Sequence, residues 1–502
     1  MNIKNLAAFG LVLLLGSGCT KNFQKINTSP ILVTKDIIQP SMLFTSVLKN
    51  SIFETYTANT FWEYANYYSN DASGVIFQAR DWSSPFSDYQ TNLINIAEVV
   101  RLTAADPSLI NENSMARIFK VWLFQQMTDA YGDIPYSQSV LSVDSVINQP
   151  VYDTQQSIYT DMLKELKEAV ANLKSDATLG SFGTADLLFS GNTDNWIKFG
   201  NSLRLRLAIR VRYADAQMAQ DNISDVISAP LIDENSANAL LTTIDGTNVD
   251  NMNPLYINYL NSNGYPMWAG FTVTQELLKR NDPRLPIFVV PAPIPQAGYR
   301  GRPMCLFTDQ KNRYVLDSVA TYPLSFRGPA VPIIVMNAAE VYFLRAEAAL
   351  AGLSSESAED MYRSGIQASF SQYHVAAGDA ATYMSSPAAT LAGGTTEGSL
   401  ENIIVQKYLA IFNQGSEAWA EFRRTGYPKI WTGGDLGSTN GNIPRRLTYP
   451  RSEYTLNNSN VTSAAARLSN GDDMMSRFWW DAKPGLPFYH PKQNTFPPEI
   501  YY

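Results

Sequence analysis

A mostly α-helical fold follows from three observations on this 502-residue chain. Apolar residues recur at three- and four-residue spacings in several windows, helical hairpins carry small residues at their contact positions, and the intervening stretches are rich in Gly, Ser, Thr and Asn. Ser114 to Met127 forms a stripe through Ile118, Phe119, Trp122 and Leu123, with an end expected before Tyr131-Gly132. Asp161 to Leu173 does the same through Met162, Leu163, Leu166, Ala169, Val170 and Leu173. Leu203 to Val211 differs: Leu203, Leu205, Leu207, Ile209 and Val211 alternate with Arg204, Arg206, Ala208 and Arg210, the period of a half-buried strand. Asn337 to Leu350 is alanine-rich and apolar most of the way round, which predicts a sandwiched helix capped near Gly352. Leu400 to Phe412 stops at Gly415, and Ser416 to Thr425 is broken by Gly426-Tyr427-Pro428, so these two windows predict a helical hairpin. Ala376 to Gly398, Thr432 to Asn442 and Thr455 to Ser463 have loop composition and read as excursions from one body. The hairpins suggest tetratricopeptide-like packing, although no strict repeat period is legible.

The first residues are a targeting segment. Met1 to Lys4 is short and basic, Leu6 to Leu15 is apolar, and Gly16, Ser17 and Gly18 lead into Cys19, the three parts of a secretory signal in order. The apolar run is shorter than the roughly 20 residues that span a bilayer. Small residues followed at once by Cys19 resemble the lipobox of bacterial lipoproteins, in which that cysteine becomes the lipidated first residue of the mature chain. Residues 1–18 are then the signal peptide and residues 19–30 a lipidated tether. Several acyl chains anchor at about 0.8 kcal/mol per buried CH₂, so no further membrane segment is needed.

Composition narrows the function. Apolar residues at 45% and charged residues at 17% suit a globular protein with a substantial core. A formal net charge of −8 lacks the basic footprint of nucleic-acid binding. With two cysteines and Cys19 acylated, Cys305 has no partner and reads as a buried small hydrophobe. Two histidines, His374 and His490, are separated in sequence and lack nearby metal-ligand spacing, which leaves a zinc site or a Ser-His-Asp triad almost nothing to draw on. Ser46-Val-Leu-Lys49 matches Ser-x-x-Lys without its companion motifs, and no phosphate-cradling or dinucleotide loop is present. The sequence assigns no cofactor and leaves a structural calcium ion open.

Six segments are similar to the SusD/RagB family, and more closely to the SusD-like nutrient-binding outer-membrane lipoproteins of Bacteroidetes. They are Cys19 to Pro30, Asp129-Ala-Tyr-Gly-Asp-Ile-Pro-Tyr-Ser137, Trp196 to Arg212, Asn281-Asp-Pro-Arg-Leu-Pro286, Ala339 to Leu350 and Gln406 to Gly426. Their order is the family's order. The resemblance implies four tetratricopeptide-like helix pairs packed against an irregular loop-rich half with few short strands, all within one domain over residues 31–502. It also implies that Leu203 to Val211 is a helix whose arginines are held by acidic partners. Functionally, it implies an outer-membrane lipoprotein facing the cell exterior. Such a protein captures oligosaccharide and delivers it to a SusC-like TonB-dependent transporter.

Most matched motifs read as structural. Glu417, Glu421, Arg423 and Arg424 can pair along one helix, with Trp419 packed beneath. The binding candidates are instead aromatics in irregular polar stretches, since loops on a rigid scaffold carry specificity and flat rings stack on the C–H faces of sugars. Tyr67, Tyr68 and Trp82 flank Ser69-Asn70-Asp71; Tyr265 and Trp268 lie in Asn261-Ser-Asn-Gly-Tyr-Pro-Met-Trp268; Tyr299 precedes Arg300. Asn70, Asp71 and Arg300 are the hydrogen-bonding companions. Two rival readings share much of this pattern. A peptide-capturing RagB-like lipoprotein differs only in ligand, and a surface glycoside hydrolase needs a carboxylate pair, for which Asp472, Asp473 and Asp481 around Trp479-Trp480 are the candidates.

Overall fold

The computed structural model describes residues 39–69, 77–78, 80–139, 147–175, 179–432, 434 and 436–486. The signal peptide, Cys19, the tether, Asn70, Asp71 and His490 lie outside the described residues. Helices α1 (Pro40–Thr57) and α2 (Asn59–Tyr64) lead into the longer pair α3 (Ser83–Thr103) and α4 (Ile110–Tyr131). Pro40 sits at the first position of α1, where its missing N–H is not needed. Helix α4 runs through Tyr131 and ends at Gly132, at φ 90°. A Cβ there would lie 2.9 Å from the Phe478 ring, so both conformation and space require glycine.

Two short strands, β1 (Ile134–Pro135) and β2 (Tyr152–Asp153), pair antiparallel and carry the chain into α5 (Gln155–Asn172). The Thr154 hydroxyl accepts from the Ser157 N–H and caps α5, and the Asn192 side chain caps α6 (Thr193–Val211) in the same way. After α7 (Ala216–Val226), β3 (Ala239–Leu241) pairs antiparallel with the distant β4 (Ile333–Met336). Between them lies the irregular half, with α8 (Pro254–Asn261) and α9 (Phe271–Lys279). Helices α10 (Ala338–Leu350), α11 (Ala358–Gln372), α12 (Thr396–Ala410) and α13 (Gly415–Thr425) complete the helical half. The consecutive pairs α3/α4, α5/α6, α10/α11 and α12/α13 pack against one another, the four tetratricopeptide-like pairs that the resemblance implies. The loop composition of Ala376 to Gly398 and Thr455 to Ser463 conceals short helices at Ala377–Met384, Arg451–Leu456 and Asn458–Ala466.

The alternating segment Leu203 to Val211 is helix, and the reason is burial on every side. Phe199 through Val211 are all buried, so its polar residues do not mark a solvent face. Arg206 donates to Glu340 at 2.8 and 2.7 Å. Arg210 donates to Glu421 at 2.7 Å and to Glu417 at 2.5 Å. Arg204 reaches Asp225 at 2.7 Å, and Arg212 reaches Glu347 at 2.6 Å. Lys407 and Arg424 add bonds to Glu417 (2.9 Å) and Glu347 (2.6 and 2.7 Å). Buried charges persist because each finds an opposite charge and hydrogen bonds. This network locks α6, α10, α12 and α13 together and forms the rigid body that holds the loops.

Candidate functional site

Isolated bridges stitch the loop-rich half, three of them around the candidate residues. Tyr68 pairs with Ala269, Trp268 with Thr321, and Gly270 with Arg302. The Gly270 N–H donates to the Tyr67 carbonyl at 2.9 Å, and the Arg302 N–H donates to the Ala269 carbonyl at 2.8 Å. Gly270 makes this approach possible, since a Cβ on it would fall 1.9 Å from the Asn66 carbonyl oxygen. Ala320 N–H to Arg300 carbonyl at 2.8 Å brings in the next segment.

The bridges gather five of the nine candidates, Tyr68, Tyr265, Trp268, Tyr299 and Arg300, into one neighbourhood. Tyr265 is 47% exposed. Its ring stands 6.0 Å from that of Trp268 at 59°. Trp268 is itself buried, packed with Phe271, Leu306, Tyr314, Val319 and Trp431. The Arg302 guanidinium lies 4.5 Å above its ring, and the Arg300 guanidinium lies 4.4 Å from that of Tyr314. Tyr68 and Tyr299 are half-buried against the main core. Trp268 is thus the floor of the cluster and Tyr265 its exposed ring.

Tyr67 is corrected: it is a core residue. Its ring stacks on Tyr408 at 4.4 Å, its hydroxyl donates to the Tyr408 carbonyl, and burial holds its phenol well above its ordinary pKa. Tyr68 beside it is half-buried, so only one of the two adjacent tyrosines reaches the surface. Trp82 is corrected as a member of the same site. It is buried at the head of α3, its carbonyl accepts from the Tyr131 hydroxyl at 2.9 Å, and the Arg80 guanidinium covers its ring at 3.9 Å. The adjacent Asp81 carboxylate accepts from the Arg451 N–H at 3.3 Å, which ties Trp82 to a different neighbourhood. Asn70 and Asp71 lie outside the described residues.

Sequence reasoning missed Tyr256, Tyr259 and Arg327. Helix α8 presents Tyr256 and Tyr259 one turn apart, their half-buried rings 6.4 Å apart at 28°. A Cβ on Gly264 would sit 3.2 Å from the Tyr259 hydroxyl, so that ring lies under the turn that carries Tyr265. The Arg327 guanidinium lies 4.7 Å from the Tyr259 ring. The signal was present as two tyrosines at helical spacing just before Asn261-Ser-Asn-Gly264. Together these rings form an aromatic surface with polar edges, able to stack on flat, hydroxyl-rich ligands.

The rival carboxylates are structural. Asp481 accepts from Arg445 at 2.8 and 2.6 Å. Asp472 pairs with Arg446 and accepts from the Tyr454 hydroxyl at 2.9 Å, and Asp473 accepts from the Met475 N–H at 2.7 Å. An open cleft of about 550 Å³ elsewhere is lined by Lys279, Arg280, Glu401, Asn402 and Lys429 among others, with no aromatic ring among its described lining residues. Its Lys429 and Glu401 pair at 3.1 Å. Among the described residues, no group of three or more His, Cys, Asp or Glu is placed to hold a metal ion. No helix among them is long and apolar enough to cross a membrane.

The tetratricopeptide-like scaffold with loop-borne aromatics has counterparts among known proteins. The model for SusD-like proteins, described as starch-binding and associating with the outer membrane, matches residues 32–450, and the chain belongs to this family. A solved chitin-binding protein is 26% identical at TM-score 0.77, covering 89% of this chain and 100% of its own. A chitin-binding SusD homologue from Flavobacterium johnsoniae is 26% identical at TM-score 0.74, covering 88% and 97%. A SusD homologue from Bacteroides uniformis is 28% identical at TM-score 0.72, covering 88% and 99%. None of the curated proteins matches the chain in sequence.

Proposed function

We propose that this protein is a glycan-capturing lipoprotein of the cell surface, tethered through lipid on Cys19, which delivers oligosaccharide to a SusC-like TonB-dependent transporter without cleaving it. The observation that carries the reading is the convergence of Tyr68, Tyr256, Tyr259 and Tyr265, drawn from a turn, a helix and a loop, on one neighbourhood floored by the buried Trp268. Rings on separate elements form a preorganised platform, which lowers the ordering cost of binding a flexible chain. The two chitin-binding relatives lend support to a polysaccharide ligand. The Asp472, Asp473 and Asp481 carboxylates, held by arginines and by neighbouring hydroxyl and N–H groups, favour capture over hydrolysis.

The test is titration calorimetry of the lipid-free chain, beginning at Thr20, against a panel of oligosaccharides, with reducing-end release followed in parallel. Saturable binding without new reducing ends is expected. Turnover at enzymatic rates, or no binding across the panel, would sink the proposal.

A further inference from the structure

Arg327 is out of place among the buried arginines. It is 7% exposed. Among the described residues its guanidinium meets no carboxylate and donates no hydrogen bond, and its Nε is buried without an acceptor. Arg206, Arg210, Arg284, Arg424, Arg445 and Arg446, more deeply enclosed, each pair with a carboxylate, and the buried Arg423 instead donates to the Trp419, Asp129 and Arg445 carbonyls. Desolvation lowers the pKa of Arg327, and the nearby Tyr259 and Tyr68 phenols offset this only in part. A buried cation without a partner is unfavourable in the folded chain, so its retention here calls for a partner that arrives from outside. The side chain sits at the aromatic surface, over Tyr259 and beside the turn bearing Tyr265.

We propose that Arg327 recognises an anion at this surface and that the glycan selected there is acidic, a uronate-containing oligosaccharide. The guanidinium fork matches a carboxylate in two parallel N–H···O bonds. With one ring face of Tyr259 covered by the guanidinium, the sugar faces lie on the neighbouring rings, Tyr265 first. This assignment rests on the reading of the surface as a glycan site.

The experiment titrates the lipid-free protein with uronate oligosaccharides and with the same oligosaccharides after reduction of their carboxylates to alcohols. Wild type should bind the uronate form about tenfold or more tighter, with a preference that fades as salt rises. Arg327→Gln should lose that preference, with the loss falling on the uronate form, and melt no lower than wild type, since it removes a buried charge that meets no carboxylate among the described residues. Equal affinity for the two forms, a preference that survives Arg327→Gln, or a variant that melts well below wild type would overturn the assignment to Arg327 while leaving glycan capture standing. Binding of a short acidic peptide with no affinity for either oligosaccharide form would overturn both readings.

Discussion

Glu417→Gln tests the central claim about this fold, that paired charges rather than apolar contacts alone join its helical half. In wild type the Glu417 carboxylate accepts from Arg210 at 2.5 Å and from Lys407 at 2.9 Å, with Arg206 3.9 Å away, and it is 3% exposed. Arg210 and Lys407, backed by Arg206, hold its pKa down at about 2 against an ordinary 4.5, despite burial that works the other way. At about 1.4 kcal/mol per pH unit this gap is worth about 3 kcal/mol, within the roughly 3–5 kcal/mol expected for removing one partner of a buried pair. Gln keeps the shape and removes the charge. The sign follows from the lowered pKa: the stabilisation is complete above the unfolded value near 4.5 and is lost as pH falls toward 2. Urea unfolding followed by far-UV circular dichroism should therefore show the variant on the order of 3 kcal/mol less stable at pH 7, with the gap narrowing as pH falls below about 4.5. A variant within about 0.5 kcal/mol of wild type at pH 7, or a gap that does not narrow with acid, would refute the reasoning.

Tyr67→Phe should lower stability by about 1 kcal/mol through the lost bond to the Tyr408 carbonyl and leave ligand affinity unchanged. Tyr265→Ala should weaken affinity about tenfold and leave the melting temperature unchanged; calorimetry and thermal melts on the two variants check both. Gly270→Ala places a Cβ 1.9 Å from the Asn66 carbonyl and should cost about 1–3 kcal/mol, with a loss of binding as the Tyr68 turn shifts. Cys19→Ala should release the protein from the membrane fraction, and retention equal to wild type would remove the lipid anchor.

How far the fold could be read from sequence depended on whether polarity tracked solvent. The stripe of Asp161 to Leu173 became α5 because one face of that helix is exposed and the other buried, the condition under which period reports conformation. Leu203 to Val211 misled because Arg206 and Arg210 are fully buried beside Glu340, Glu417 and Glu421. Those acids lie 130 to 215 residues further along the chain, beyond any local window. The alternation there is real but describes leucines against neighbours and arginines against acids, two kinds of buried contact. Short helices at Ala377–Met384 and Asn458–Ala466 escaped notice because small and polar residues leave little stripe.

From its residues alone this chain predicted a signal peptide leading to Cys19, a helical body, an acidic charge balance and several aromatics in polar loop segments, because each is a property of local order or of composition. Its family could be read from six segments, most of which read as structural. Only the tertiary structure separated Tyr67 from Tyr68, set Trp82 apart from Trp268, and added Tyr259 and Arg327 to the surface. Burial and partnership arise from segments far apart in the chain: the Gly270 N–H meets the Tyr67 carbonyl across some 200 residues, and Arg327 is unpaired only by comparison with arginines whose acids the fold supplies. A side chain's chemistry is written in the sequence, and what is left for it to bind is decided by what the fold has already placed against it.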